Sequence, residues 1–145
     1  MTPPRRVIAG LDSDGRSAII IDDPASTVIW STDGDVADNS GTADAGGGKL
    51  SFPTSGTRFI YSDFPPGMTS PVHATDTIDY IVILSGAVTF VTETGETLVK
   101  AGDLLVDRGV VHAWRNDGDV PCRIVSVLCP SLPVGAGATM AGTMG

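Results

Sequence analysis

The sequence predicts an all-β domain, a sandwich or a barrel. Three observations carry that expectation. Short runs rich in β-branched and aromatic residues recur along the chain. Glycine, proline, asparagine and aspartate punctuate them at near-regular spacing. Stretches with helical period are nearly absent. At 145 residues the chain suits one domain with a real core.

Taken in order, Val7-Ile8-Ala9 and Ala18-Ile19-Ile20-Ile21 are strand runs split by the turn sequence Asp12-Ser13-Asp14-Gly15. Thr27-Val28-Ile29-Trp30 is a third, which places the N-terminal strands within residues 5–30. Residues 31–52 are rich in Gly, Asp, Ser and Ala and read as a surface loop. Their Gly46-Gly47-Gly48 lacks the strand–loop–helix context and lysine of a phosphate-binding loop. Strands then come densely over a core of about 58–128. Expected runs are Arg58–Phe64, Pro71–Thr75, Ile78–Leu84, Ala87–Thr92, Glu96–Lys100, Asp103–Val106, Val110–Arg115 and Val120–Leu128. Glu93-Thr94-Gly95 and Asn116-Asp117-Gly118-Asp119 are turns between them. The small-residue tail, 131–145, is expected to be flexible or to lie along a neighbour.

Composition excludes some partners. Hydrophobic residues at 41 % and charged ones at 18 % fit a folded domain. A net charge of −8 disfavours nucleic acid and anionic membranes, both of which need clustered cations. No apolar run reaches the length of a membrane span, and Met1 to Arg6 does not open a signal peptide, so a cytoplasmic protein is expected. Cys122 and Cys129 flank one strand run at an odd separation. They point to opposite faces and cannot bridge, which predicts buried, inert thiols.

The two histidines are placed conspicuously. One opens His73-Ala74-Thr75-Asp76-Thr77-Ile78-Asp79 and the other heads His112-Ala113-Trp114-Arg115-Asn116. Side chains two apart share a strand face, so His73 groups with Thr75, Asp79 with Ile81 and Ile83, and His112 with Trp114 and Asn116. Tyr80 falls on the opposite, outer face.

These frames carry a family resemblance. Gly67-x5-His73-x-Thr75-x3-Asp79-x6-Gly86 resembles the first cupin motif, and Gly102-Asp103…Gly109-x2-His112-x3-Asn116 the second. The resemblance spans about 58–128 and implies a small single-domain cupin, a double-stranded β-helix of jelly-roll type with extra N-terminal strands. The usual pattern is His-x-His, Glu and a final His around one metal. Here Thr75 stands at the second His and Asp79 at the Glu.

The ligand set implied by the resemblance is His73, Asp79 and His112, suited to one divalent transition metal: Fe, Zn, Mn, Ni or Co. A metal-free barrel stays open, because Thr75 replaces a ligand. Asp79 and Thr75 are the candidate catalytic residues, the first as a proton-transfer carboxylate and the second as a hydrogen-bonding hydroxyl. Trp114, Arg58 and Phe90 are the candidate substrate contacts, although the inward parity of 58–64 and 87–92 is open. The expected activity is that of a metal-dependent lyase, a dehydratase or decarboxylase, on an oxygenated, largely apolar or aromatic, polyketide-like small molecule inside the barrel. The alternatives are an Fe(II) dioxygenase and a metal-free ligand-binding or sensory barrel. A homodimer is expected, since sheet edges and the apolar N-terminal strands need cover.

Overall fold

The computed structural model describes residues 1–134 and the backbone of the short strand at 142–143. The expected C-terminal tail therefore falls largely outside the described residues. No helix occurs among the described residues, so none is long and apolar enough to cross a membrane.

The core is two facing antiparallel sheets. One has five strands in the order β3 (Val28–Thr32), β5 (Thr57–Phe64), β11 (Cys122–Pro130), β6 (Thr77–Ser85), β9 (Leu104–Asp107). The other has three: β10 (His112–Arg115), β7 (Ala87–Thr92), β8 (Glu96–Lys100). Alternation decides what faces inward. Phe64, Ile81, Ile83 and Ile124 from the larger sheet meet Val88, Phe90, Val99 and Trp114 from the smaller. A second cluster of Val28, Phe52, Ile60 and Leu128 extends this core toward β3. The fold is all-β and matches the expected jelly roll.

Gly86 makes the tight corner from β6 into β7. Its φ is 72°, and a Cβ there would strike the Pro121 carbonyl, so only glycine fits. Asn116, expected simply as a turn residue, is a buried clasp. Its amide donates to the carbonyls of Phe64 (2.9 Å) and Val120 (3.0 Å), and its oxygen accepts from the Gly118 N–H (2.9 Å). It ties one end of β5 to the loop between β10 and β11.

Four expectations differ from the structure. The run Pro71–Thr75 forms no full strand. It touches β10 through isolated bridges, Thr69 with Arg115 and His73 with His112, because prolines at 65, 66 and 71 deny the segment continuous donors. The N-terminal runs β1 (Arg5–Leu11) and β2 (Ser17–Pro24) are not an edge of the barrel but a separate two-stranded sheet. The loop 31–52 holds a short strand, β4 (Ser51–Phe52), paired with β12 (Gly142–Thr143). Cys122 is fully buried and its thiol is pushed up to about 11 by burial, but Cys129 is only half-buried.

A two-stranded hairpin has little stability alone. Arg6 fastens this one. Its buried guanidinium pairs with Asp23 of the same hairpin and Asp44 of the following loop, and donates to the Ile29 carbonyl at 3.2 Å. A Cβ at Gly46 would collide with that guanidinium, which explains one glycine of the Gly46–Gly48 run.

Candidate active site at a histidine pair

The two imidazoles meet. The backbones of His73 and His112 exchange hydrogen bonds at 2.9 Å, and the ring centroids lie 4.4 Å apart. His112 is carried on β10 and buried; His73, in the loop before β6, is half-buried and forms the accessible side. Each ring is oriented from its Nδ1. That of His73 donates to the Pro71 carbonyl and that of His112 to the Val110 carbonyl, both at 2.8 Å. A carbonyl only accepts, so in the neutral rings the proton sits on Nδ1 and Nε2 carries a lone pair.

Next to the pair runs a chain of hydroxyls ending in a carboxylate. The alternation that begins at His73 continues unbroken through Thr75, Thr77 and Asp79. Thr77 donates to Asp79 Oδ1 at 2.7 Å, and Thr75 Oγ1 lies 2.8 Å from Thr77 Oγ1. Thr77 has one hydroxyl proton and Asp79 takes it, so Thr75 is the donor to Thr77. The Thr75 oxygen is left as an acceptor at the head of the chain. Burial pushes the Asp79 carboxyl up to about 6; the Thr77 bond pulls the other way, Asp107 adds to the rise and His73 opposes it. Burial likewise holds His112 below the usual histidine range, leaving it neutral at pH 7.

Phe90 and Trp114 wall the inner side. Phe90 stacks on His112 at 5.0 Å, and Trp114 sits edge-on to His112 at 6.0 Å and packs on Phe64. Phe90 therefore faces inward, which settles the parity of β7. On β5 the inward residues include Ile60 and Phe64. Arg58 is placed elsewhere: its guanidinium donates to the carbonyls of Thr32 (2.8 Å) and Thr57 (2.9 Å) at the β3 side of the sheet. Its contacts anchor the edge strand, not the histidine pair. Arg115 is held by Glu96 and Asp117, and Arg108 is exposed.

Two residues of the site were not anticipated. Thr77 was readable, because it continues the same alternating face. Asp107 was not. It ends β9 directly opposite Asp79 in the strand register and is almost fully buried, with Oδ2 3.1 Å from His112 Nδ1. Nothing in Leu104-Leu105-Val106-Asp107 separates such a residue from a turn-capping aspartate.

The three-ligand set of His73, Asp79 and His112 is not assembled. No cluster of three His, Cys, Asp or Glu side chains close enough to hold a metal occurs among the described residues. The imidazoles offer two nitrogen donors, while the Asp79 carboxylate is turned to Thr77. A cleft of about 920 Å³ lies away from the histidines. It lies between the β1–β2 hairpin and the outer face of the five-stranded sheet, lined by Ile8, Ile20, Phe59, Tyr61 and Val125 among others.

Comparison with known proteins agrees with this architecture. The family signature described as Cupin domain matches residues 60–128. Over 143 residues the chain is 30 % identical to a cupin-domain-containing oxidoreductase (fogC) of Aspergillus ruber, covering 85 % of this chain and 70 % of that relative. The chain belongs to the cupin family. This cupin is also 29 % identical over 162 residues to a cupin-domain-containing oxidoreductase (srdD) of Neurospora crassa, covering 97 % of this chain and 83 % of the relative. A solved structure with a double-stranded β-helix domain from Klebsiella pneumoniae is 27 % identical, with a TM-score of 0.48 over 52 % of this chain and 68 % of that one.

Proposed function

We propose that this cupin is a small-molecule enzyme that moves a proton on an oxygenated, largely apolar substrate, in a lyase step such as dehydration or decarboxylation. The observation that carries the reading is the half-buried Asp79 carboxyl, raised to about 6, at the end of the Thr75–Thr77 chain beside two imidazoles. A group with that pKa is half protonated at pH 6 and still keeps about a tenth of its acid form at pH 7, so both forms are at hand for proton transfer near neutrality. A substrate hydroxyl can donate to the Thr75 oxygen. Neutral His112 offers Nε2 as an acceptor. Phe90 and Trp114 give the substrate an apolar wall and keep water from the inner side.

The reading is tested by screening β-hydroxy-carbonyl and carboxylated aromatic substrates with wild type, Asp79→Asn and Thr75→Val. Turnover that survives both substitutions would refute it.

A second reading has its own support. The relatives in Aspergillus ruber and Neurospora crassa are named oxidoreductases. Both Nε2 atoms lack a hydrogen-bond partner among the described residues. On that reading His73 and His112 hold one divalent transition metal (Fe, Zn, Mn, Ni or Co) with non-protein ligands completing the shell. Elemental analysis of protein purified without a nickel column, with oxygen uptake on added substrate, distinguishes the two.

A homodimer is the assembly we propose. The outer face of β5, β11, β6 and β9 presents Phe59, Tyr80, Val82, Leu104, Val106 and Val127 without an intervening charge. Leu104 and Val106 are 77 % and 55 % exposed on the free edge strand. Continuous apolar faces of this kind mark contact sites. Four strands about 4.8 Å apart and about five residues long give roughly 300 Å² of flat face. A stable dimer buries roughly 800 Å² per side. The adjoining hairpin and its cleft must therefore contribute to the contact with a second copy.

A further inference from the structure

The geometry assigns Asp107 as the positioning residue of the site: its carboxylate fixes the His112 ring as the Nδ1–H tautomer and so leaves Nε2 as a bare nitrogen. Asp107 is 2 % exposed. Burying a carboxylate is costly unless it is paired. A turn could be capped here by a neutral side chain, so a full charge calls for a further partner.

One oxygen explains the turn. Oδ1 accepts from the N–H groups of Gly109 (3.0 Å) and Val110 (3.2 Å). Those two bonds lock the carboxylate plane and aim Oδ2 at the imidazole. Oδ2 lies 3.1 Å from Nδ1 of the neutral His112 ring, a charge–dipole contact. The Nδ1–H itself points to the Val110 carbonyl at 2.8 Å, so Oδ2 sits beside the proton and is not in line with it; among the described residues it has no hydrogen-bond donor of its own. A negative oxygen beside Nδ1 favours the proton there and disfavours the tautomer that would turn a lone pair toward it.

The loop that carries this arrangement is tightly set. Gly109 has φ 75°, and a Cβ on it would press on the carbonyls of Thr75 and Thr77. The Asp107 turn thus packs closely against the backbone that carries Thr75 and Thr77. Asp107 touches no reacting atom; it acts through His112.

The locked turn yields a specific expectation for Asp107→Asn. The Gly109 and Val110 N–H groups demand an acceptor, so the amide oxygen must take the Oδ1 position. The amide NH₂ is then forced onto Nδ1, where two donors oppose each other. The ring is expected to move its proton to Nε2, as a substituted orienting carboxylate does elsewhere. Asp107→Ala removes the charge without adding a donor, so Val110 alone holds the proton and the Nε2–H form should rise several-fold but not dominate.

The readout is ¹⁵N NMR of the imidazole nitrogens at pH 8, where neutral rings report tautomer directly. Only two rings contribute, and His73→Ala assigns them. Wild type is expected as Nδ1–H at His112, Asp107→Asn as Nε2–H, and Asp107→Ala as a mixture. A wild-type ring protonated on Nε2 overturns the assignment. So does an Asp107→Asn protein with a folded amide spectrum and an unchanged ring. If Asp107→Asn does not fold, Asp107→Ala decides: a ring identical to wild type shows that Val110 suffices and Asp107 does not position it. The inference builds on the reading of the histidine pair as the reactive site, yet its test uses no substrate. An inert site with the Nδ1–H ring intact would remove that reading and leave the role of Asp107 standing.

Discussion

Asp79→Asn should make the folded protein more stable and inactive at once. The substitution keeps the shape of the side chain and an oxygen that accepts from Thr77, but removes the ionisable proton. Folding raises the Asp79 carboxyl from its ordinary value of 3.8 to about 6, chiefly by burial. The sign follows from linkage. Below pH 3.8 the carboxyl is protonated in both states and burial costs nothing extra. Between the two values the unfolded chain releases its proton and the folded one keeps it, so stability falls as pH rises. Above pH 6 the full difference is present, about 2 pH units, or about 3 kcal/mol of destabilisation. Asparagine carries no such penalty. Urea unfolding of both proteins at a series of pH values reads the difference directly, since other groups cancel between them. The gain should be near zero below pH 4, grow by about 1.4 kcal/mol per pH unit, and level off near 3 kcal/mol above pH 6. At pH 8 that corresponds to a melting point higher by roughly 10 °C. A difference that is flat across this range, or that favours the aspartate at pH 8, would refute the claim that desolvation raises the Asp79 carboxyl. A group kept at that cost while its amide is better tolerated is what a stability–activity trade-off looks like.

Other outcomes follow from the same contacts. His112→Ala should cost roughly 3 kcal/mol by thermal or urea unfolding, because it empties a packed site against Phe90 and strands the Asp107 carboxylate; half-buried His73→Ala should cost under roughly 1 kcal/mol. Asn116→Ala should lose roughly 3 kcal/mol, since the carbonyls of Phe64 and Val120 lose their donor and the Gly118 N–H its acceptor. Leu104→Glu with Val106→Lys, on the exposed edge, should shift sedimentation from dimer to monomer at micromolar concentration without changing the melting curve of the monomer; a monomeric wild type would remove the dimer proposal. If the metal-bound reading holds, the metal content of the double variant His73→Ala/His112→Ala should fall to background, whereas retention would place the ion elsewhere.

The sequence by itself determined the architecture and the meeting of the two imidazoles. Strand alternation is a local property of each run, and it put Ile81 and Ile83 inside, Tyr80 outside and His112 with Trp114 on the buried face. The meeting of His73 and His112 is what the resemblance of the two motifs, Gly67 to Gly86 and Gly102 to Asn116, to the cupin pattern implies, and the two residues bridge in the structure. Only the tertiary structure decided how carboxylates and cations are used. Asp79 and Asp107 face each other across β6 and β9, a pairing set by sheet register between segments nearly thirty positions apart, and no local pattern encodes it. Arg58 has the same composition signal as a substrate-binding arginine, yet the carbonyls of Thr32 and Thr57 claim it. Arg6 carries no local signal of burial, yet it is buried between Asp23 and Asp44. Apolar residues announce their position by period, because burial is their only requirement. A charged group goes wherever partners happen to converge, and convergence is a property of the folded chain.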